Sequence, residues 1–387
     1  MTTMDPIIII GSGLAGYTLV RELRRCDKER DILMITQQDG HFYSKPMLST
    51  ALAKQQTAEQ LVMKTADEMA SAHGITVLAR VQVESLDTQN KQVKCSNGET
   101  YAYSACVLAL GADPIRVPFS GDAVDQLVSV NHLSDYANFR EWLQGKKHIA
   151  VLGSGLVGCE FMNDLVTAGH TVSVISRDQY PLQRLIPDSN MGEEIKAVYQ
   201  NDWNVNWYLD QSAQDINVHG TDQIQVTLKD GKNVVVDGVL SAVGLKANMT
   251  LAMEAGLEVN RGVVVNEYHE TSQPQVYALG DCAECQGELR QYVAPIMHSS
   301  RALAKTLTGE LTAVTYPSMP VVIKTTQCPV VSQMPDDVDE RAQWQVEGQA
   351  PHQQALLKCD GQLLGFVLMG DATKQRQALL KQLGSAV

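Results

Sequence analysis

Two short apolar runs organise the chain. Ile7 to Ile10 is four isoleucines in succession, and residues 149–152 read Ile-Ala-Val-Leu. Runs this short, with no polar residue between, suit strands buried on both faces, as in a parallel sheet; a half-buried strand would alternate. Each run leads directly into nearly the same phrase, Gly11-Ser12-Gly13-Leu14-Ala15-Gly16 and Gly153-Ser154-Gly155-Leu156-Val157-Gly158. After each phrase the pattern predicts a helix, one to about Cys26 and one to about Ala168, and then a further apolar run at 32–36 and 171–176. Each copy therefore reads strand, glycine turn, helix, strand, a βαβ unit of a parallel sheet.

Three more apolar runs end in glycine: 107–110 before Gly111, 239–243 before Gly244, and 276–279 before Gly280-Asp281. After Tyr316 the texture changes to short β-rich pieces, 321–324 and 363–369, between polar loops. The chain is thus expected to be an α/β protein with two Rossmann-like dinucleotide-binding domains and a small α+β C-terminal domain. The expected boundaries are 1–112 with 246–316 for the first domain, 113–245 for the second and 317–387 for the tail.

The glycine phrase carries chemistry. Its first glycine allows a tight bend, its second lets a pyrophosphate approach the backbone, and its third lets helix and strand pack closely. The helix N-terminus adds unpaired N–H groups and a partial positive charge for phosphates. One such phrase can be a mere packing corner; two, each between a strand and a helix, imply two dinucleotides. A protein holding two dinucleotides passes a hydride between them. The acid that reads a ribose lies about 20 residues on. After the first turn the acid in reach is Asp39, following Gln37-Gln38. After the second the chain offers Ser176-Arg177 and then Asp178. An arginine there suits the 2′-phosphate of NADPH, so these residues leave the choice of nucleotide open.

Composition narrows the partners. At 387 residues with 44% hydrophobic side chains the chain can bury more than one core. Its net charge of -13 and 5% aromatic content argue against nucleic acid. No apolar run approaches the 18 or so residues of a membrane span, and no basic leader precedes the isoleucines, so a cytosolic enzyme is expected. The eight cysteines then read as free thiols. Cys282-Ala283-Glu284-Cys285 is the one C-x-x-C; it follows an aspartate at a strand end instead of opening a helix, which speaks against thioredoxin-like chemistry. No His/Cys cluster has metal-ligand spacing, so any iron is expected on a partner.

The two glycine turns, the stretch Tyr43-Ser44-Lys45-Pro46-Met47-Leu48-Ser49 and the stretch Ala278-Leu279-Gly280-Asp281-Cys282-Ala283-Glu284 resemble the FAD-dependent pyridine nucleotide–disulfide oxidoreductase superfamily. Within it the chain looks most like the rubredoxin-reducing branch that serves alkane hydroxylation, and the tail stretch Pro320-Val321-Val322-Ile323-Lys324-Thr325 shares in the resemblance. The resemblance implies FAD at the first turn and NADH at the second, with rubredoxin as electron acceptor. It implies that Asp281 bonds the flavin ribityl chain and that the helix opening at 293–296, with Pro295 in its first turn, aims its N-terminus at the flavin. It gives Lys45 and Glu160 a catalytic role as a pair beside the flavin. The implied cofactor-binding set takes in Gly11, Ser12, Gly13, Leu14, Ala15 and Gly16 of the first phrase and Gly153, Gly155, Leu156, Val157 and Gly158 of the second, together with Gln38, Asp39, Lys45, Pro46, Gly111, Glu160, Gly244, Gly280, Asp281, Ala294 and Lys324.

Departures from the superfamily matter as much. A disulfide reductase needs C-x-x-x-x-C beside the flavin, and none exists. Peroxidase-like relatives need a lone cysteine where this chain has Phe42-Tyr43-Ser44. Electrons must then leave the flavin directly, two arriving as hydride and departing singly. Alternatives are a flavorubredoxin of nitric oxide detoxification or an oxygenase ferredoxin as acceptor, an NADH oxidase or peroxidase, and a flavin-carrying binding protein without turnover. An acidic rubredoxin would need a basic spot, for which Arg21, Arg24, Arg25, Arg301 and Lys305 are candidates. The short tail suits a monomer or weak dimer.

Overall fold

The computed structural model describes residues 4–186, 188–335, 338 and 340–383. The extreme ends of the expected first and last segments, 1–3 and 384–387, lie outside the described residues. The chain forms two compact units: Met1–Lys45 with Glu59–Asp113 and Leu245–Tyr316, and Pro46–Ala58 with Pro114–Gly244 and Pro317–Val387.

The first unit is built on a five-stranded parallel sheet in the order Val276–Ala278, Ala105–Leu108, Ile7–Ile10, Ile32–Thr36, Thr76–Ala79. The four isoleucines explain themselves here. Ile7 and Ile9 face a core with Tyr17, Leu19, Leu23 and Leu303 from the helices Leu14–Cys26 and Val293–Leu307. Ile8 and Ile10 face a second core with Val83, Leu86, Val93, Val263 and Val276. A central strand between two cores has no wet face, so alternation disappears. Truncating any of the four to alanine would cost about 2–5 kcal/mol.

The second unit repeats the plan. Its parallel sheet runs Val205–Tyr208, Thr171–Ile175, His148–Leu152, Gly238–Ser241. In both units a three-stranded antiparallel meander intervenes before a closing strand returns beside the first. The meander is Val83–Asp87, Gln92–Cys95, Thr100–Ala102 in one unit and Ala213–His219, Gln223–Leu228, Asn233–Val236 in the other. Ile7 pairs with Ile32 and Ala105, as Ile149 pairs with Val172 and Gly238. The duplication therefore extends from the βαβ phrase, where sequence shows it, to four strands of each sheet; Val276–Ala278 at the edge of the first has no counterpart in the second.

The tail is a five-stranded antiparallel sheet in the order Val321–Ile323, Val330–Gln333, Gln362–Met369, His352–Cys359, Gln343–Gln349. Helix Arg376–Leu383 sets Leu379 into a core with Val331, Leu356, Phe366 and Leu368. Residues 46–58 are placed differently from the boundaries expected from sequence. They pack in the second unit, where the N–H groups of Leu52 and Ala53 donate to Asp164 and the Gln56 carbonyl accepts from the Tyr136 hydroxyl at 2.9 Å. Apart from the single turn Lys45–Met47 this stretch is irregular, so its amides need acceptors elsewhere.

Candidate functional site

The two glycine turns share one geometry. Gly11 and Gly153 take φ of +114° and +104°, and a Cβ on either would lie 2.2 Å from the Ala109 carbonyl oxygen or 2.5 Å from that of Ala242. At Gly16 and Gly158 a Cβ would meet the carbonyl oxygen of Gly11 or Gly153 at 2.1 Å. The middle glycines, Gly13 and Gly155, are exposed, and a Cβ on either would meet nothing within 4 Å. They are also the N-caps of their helices, and neither helix has a side-chain cap or an acid in its first turn. The opening N–H groups, from Leu14, Ala15 and Gly16 and from Leu156, Val157 and Gly158, thus border open space beside the glycines. That combination of free donors, helix dipole and absent side chains fits a pyrophosphate at each turn.

Behind each turn a hydroxyl bridge ties glycine phrase to strand end. Ser12 donates to Thr36 at 3.0 Å, and Ser154 donates to Ser176 at 2.9 Å. In the second unit an acid joins the bridge: Asp178 Oδ2 lies 3.1 Å from both Ser154 Oγ and Ser176 Oγ. Of the two residues between which the sequence leaves the nucleotide open, Asp178 is the one tied to the turn; Arg177 is exposed. In the first unit Asp39 accepts the His41 N–H at 2.9 Å, and Gln38 donates its N–H to Thr36 at 3.2 Å.

Elsewhere in the first unit, Gly280 takes φ of +77° and its Cβ position is 2.7 Å from the Ala15 methyl, so Gly280-Asp281 rests against the opening turn of the first glycine helix. Burial raises the Asp281 carboxyl pKa and the Lys45 charge opposes it. The helix Val293–Leu307 likewise starts without a side-chain cap; Ala294 is half-buried and Pro295 buried in its first turn. Gly111 has φ of +69°, and its carbonyl accepts from the Asn248 N–H at 3.0 Å. Gly244, in the second unit, has φ of +122° and passes its carbonyl to the Ile115 N–H at 3.0 Å.

The side-chain pairing expected from sequence, Lys45 with Glu160, is corrected on one side. Glu160 is 2% exposed on the helix Leu156–Thr167, and the ammonium hydrogen-bonded to it is that of Lys324, Nζ to Oε2 at 2.9 Å. The Lys324 backbone N–H also donates to Glu160 Oε1 at 3.0 Å, and the Ser49 hydroxyl donates to Oε2 at 2.6 Å. Lys324 further donates to the Pro46 carbonyl and lies 3.4 Å from Ser49 Oγ. Lys45, chosen from sequence as the partner, opens a turn next to Pro46 but belongs to the other compact unit, and its charge bears on Asp281. A carboxyl group at such depth is tolerable only with partners, and Lys324, just past the tail strand Val321–Ile323, supplies two of them. Sequence reasoning missed Ser49 and Asp164. Asp164 had one signal, an acid one turn after Glu160 on a largely apolar helix.

Each cysteine of the C-x-x-C has its own backbone contacts. Cys282 Sγ contacts the Leu108 and Leu279 carbonyl oxygens, and Cys285 Sγ contacts that of Asn266. Burial pushes the Cys282 thiol up to about 11 and raises that of Cys285. The basic docking candidates all have internal partners. Arg24 donates to the His73 and Gly74 carbonyls, Arg25 and Arg301 flank buried Glu22, Arg21 lies over the Phe42 ring, and Lys305 pairs with Glu310. Among the described residues no group of three His, Cys, Asp or Glu is placed to hold a metal ion, and no helix is long and apolar enough to cross a membrane.

Two glycine turns shaped for phosphate on two parallel sheets, with Lys324 paired to the buried Glu160 in the second unit, define an oxidoreductase that works with two dinucleotides. Residues 5–301 match the pyridine nucleotide-disulphide oxidoreductase family and residues 313–383 match the rubredoxin binding C-terminal domain. The chain is 44% identical to the rubredoxin-NAD(+) reductase of Alcanivorax borkumensis, over 98% of this chain and 99% of that one. It is 38% identical to the nitric oxide reductase FlRd-NAD(+) reductase of Vibrio vulnificus, over 98% of each. Its fold matches the covalent putidaredoxin reductase–putidaredoxin complex with a TM-score of 0.86 at 24% identity, covering 98% of this chain and 93% of that one. The chain belongs to the pyridine nucleotide-disulphide oxidoreductase family. It is an oxidoreductase of the kind that uses FAD and NADH.

Proposed function

We propose that the protein takes electrons from NADH and delivers them through FAD, one at a time, to rubredoxin. One observation carries the reading: the antiparallel tail, which matches the rubredoxin-binding domain, contributes Lys324 to the buried carboxylate of the second glycine helix. Bound FAD supplies the exchange between one two-electron donor and two one-electron deliveries. The protein's own residues bind and orient. The N–H groups at Gly13–Gly16 hold the pyrophosphate of FAD, with Gln38 and Asp39 toward its ribose, and those at Gly155–Gly158 hold that of NADH. Asp178, pinned by Ser154 and Ser176, accepts from the ribose hydroxyls and disfavours a 2′-phosphate. Asp281 with Lys45, and the N-terminus of the helix Val293–Leu307 at Ala294, serve the flavin. Lys324, steadied by Glu160, Ser49 and the Pro46 carbonyl, presents a fixed positive charge at the reaction site. Gly111, Gly244 and Gly280 keep side chains out of the strand-end crevices.

The match to the Vibrio vulnificus reductase supports a second reading with the same electron path and a flavorubredoxin as acceptor. An alkane hydroxylase downstream, a cytosolic location and a monomer or weak dimer belong to the first reading and are supported by the resemblance of the sequence. The deciding experiment is the initial rate of rubredoxin bleaching by the FAD-loaded protein, with NADH and NADPH in parallel. Fast bleaching with NADH is the expected result. Ready flavin reduction by NADH without bleaching would move the acceptor to flavorubredoxin or a ferredoxin.

A further inference from the structure

We propose that Asp164 is a positioning residue, holding the segment 46–58 in the place that keeps Ser49 and the Pro46 carbonyl against the Lys324 ammonium. The inference starts from an anomaly on the helix Leu156–Thr167. Positions 160, 163, 164 and 167 lie on one face, at spacings that normally form an apolar stripe in a buried helix. Here Glu160, Asn163 and Asp164 are only 2%, 3% and 2% exposed. Polar groups at that depth must be bonded, and these three reach two segments distant in sequence, 46–58 and the tail after Ile323.

Asp164 takes the N–H of Leu52 on Oδ2 at 2.9 Å and that of Ala53 on Oδ1 at 3.0 Å. Both oxygens therefore grip one short stretch of backbone. The segment has little to hold itself in place: its own bonds are short-range, such as Thr50 N–H to Met47 and Gln55 N–H to Leu52. Its position comes from outside, through Ser49 to Glu160, Leu52 and Ala53 to Asp164, and Gln56 to Tyr136. Asn163 and Thr167 hold the tail from the same face, bonding Thr326 and Gln327. One helix face thus sets both walls around Lys324.

The charge of Asp164 matters to the grip. Burial pushes its carboxyl up to about 6, opposed by the two amides and by Lys54 and Lys324. Tyr136 bears on it from the helix Leu133–Trp142, and Glu160 lies one turn before it on the same helix. A protonated carboxyl turns one oxygen into a donor and loses one of the two amides.

The test uses the FAD-loaded protein and two readouts independent of turnover: deuterium uptake by peptides covering 46–58, and acylation of Lys324 by an amine reagent, both by mass spectrometry. Asp164→Asn is expected to speed exchange at 52 and 53 at least tenfold and acylation of Lys324 several-fold. Unchanged exchange overturns the anchor, and faster exchange with unchanged acylation overturns the positioning role. Should Asp164→Asn fold poorly, the native protein supplies the same test. Protection at 52 and 53, corrected for intrinsic exchange, is expected to fall between pH 7 and pH 5, and a flat profile overturns the anchor. The catalytic consequence rests on the role proposed above for Lys324. Normal flavin reduction in Lys324→Met, alongside faster acylation in Asp164→Asn, would remove that role and keep the anchor.

Discussion

Lys324 closes on both oxygens of Glu160: its backbone N–H reaches Oε1 at 3.0 Å and its ammonium reaches Oε2 at 2.9 Å. One residue of the tail thereby fixes the carboxylate's orientation and balances its charge. In Lys324→Met the backbone bond and the Ser49 hydroxyl remain, but the buried charge loses its counter-ion. Breaking a fully buried pair costs about 3–5 kcal/mol. The Lys324 side chain is 35% exposed, so the expected loss is about 1–2 kcal/mol, read from urea unfolding of the FAD-loaded protein. Flavin reduction by NADH should slow by about 10- to 100-fold, in line with removal of one preorganised charge. Lys45→Met should slow it less, because that charge acts on Asp281. An equal or larger effect at Lys45 would reverse the assignment.

The glycines of one phrase are expected to fail in different ways. Gly13 has φ of -69° and open space where a Cβ would go. Gly13→Ala should therefore fold at nearly normal stability and lose FAD affinity, since the methyl occupies the phosphate's approach. Gly16→Ala would drive a Cβ to 2.1 Å from the Gly11 carbonyl oxygen, and overpacking of this kind costs about 1–3 kcal/mol or more. Thermal unfolding of the apoproteins and flavin titration separate the two. Equal FAD affinity in Gly13→Ala and the parent would contradict the cradle.

Asp178 should decide between the two nicotinamide nucleotides. Its carboxylate is held at 3.1 Å from Ser154 Oγ, at the glycine turn itself, while Arg177 points into solvent exposure one residue before. A fixed negative charge there repels a 2′-phosphate and accepts from a 2′-hydroxyl. Asp178→Asn is expected to lower the ratio of kcat/KM for NADH over NADPH by at least tenfold, or about 1.4 kcal/mol. A ratio unchanged in Asp178→Asn and reduced in Arg177→Ala would return the decision to the arginine.

The thiols offer a negative control. Cys26 is exposed and the other seven cysteines are buried. Because the thiolate is the reactive form, a thiol pushed up to about 11, as Cys282 is, should not react at neutral pH. Brief alkylation of the native protein should mark Cys26 alone, and a Cys282→Ser, Cys285→Ser protein should reduce its flavin at the parental rate. Loss of that rate would reopen the redox reading of the C-x-x-C.

The glycine phrases were legible because their chemistry is local: strand, turn and helix lie within about 30 residues, and each glycine's task follows from backbone geometry. Glu160 was legible for the same reason, two residues past a phrase. Its partner was not. Lys324 is 164 residues away in sequence and Ser49 is 111, and nothing in either local pattern says which segment folds onto the helix. Choosing the lysine within the recognisable Tyr43–Ser49 stretch gave Lys45, one residue outside the segment that packs there. Asp178 and Asp164 were hidden differently: each is an ordinary acid until the hydroxyls or amides around it are placed.

Two buried titrating groups should pull stability in opposite directions with pH. His269 is 1% exposed, with Nδ1 3.0 Å from the Ala278 carbonyl oxygen and Nε2 3.4 Å from the Tyr316 hydroxyl, and burial pushes it down to about 4. Between pH 6.5 and 4 the unfolded chain binds a proton that the folded chain refuses. The stability owed to neutral His269 is whole above pH 6.5 and is lost as pH falls toward 4, about 3 kcal/mol over the window. Asp164 has the opposite sign. Its carboxyl, up at about 6, takes a proton in the folded state first, so acidification from pH 7 relieves a cost of burial. His269→Gln should therefore flatten the acid limb of a denaturant-derived stability profile between pH 7.5 and 4.5, and Asp164→Asn should steepen it. Parallel profiles for the parent and His269→Gln would mean that His269 takes up its proton in the folded state, against the burial from which its low value follows.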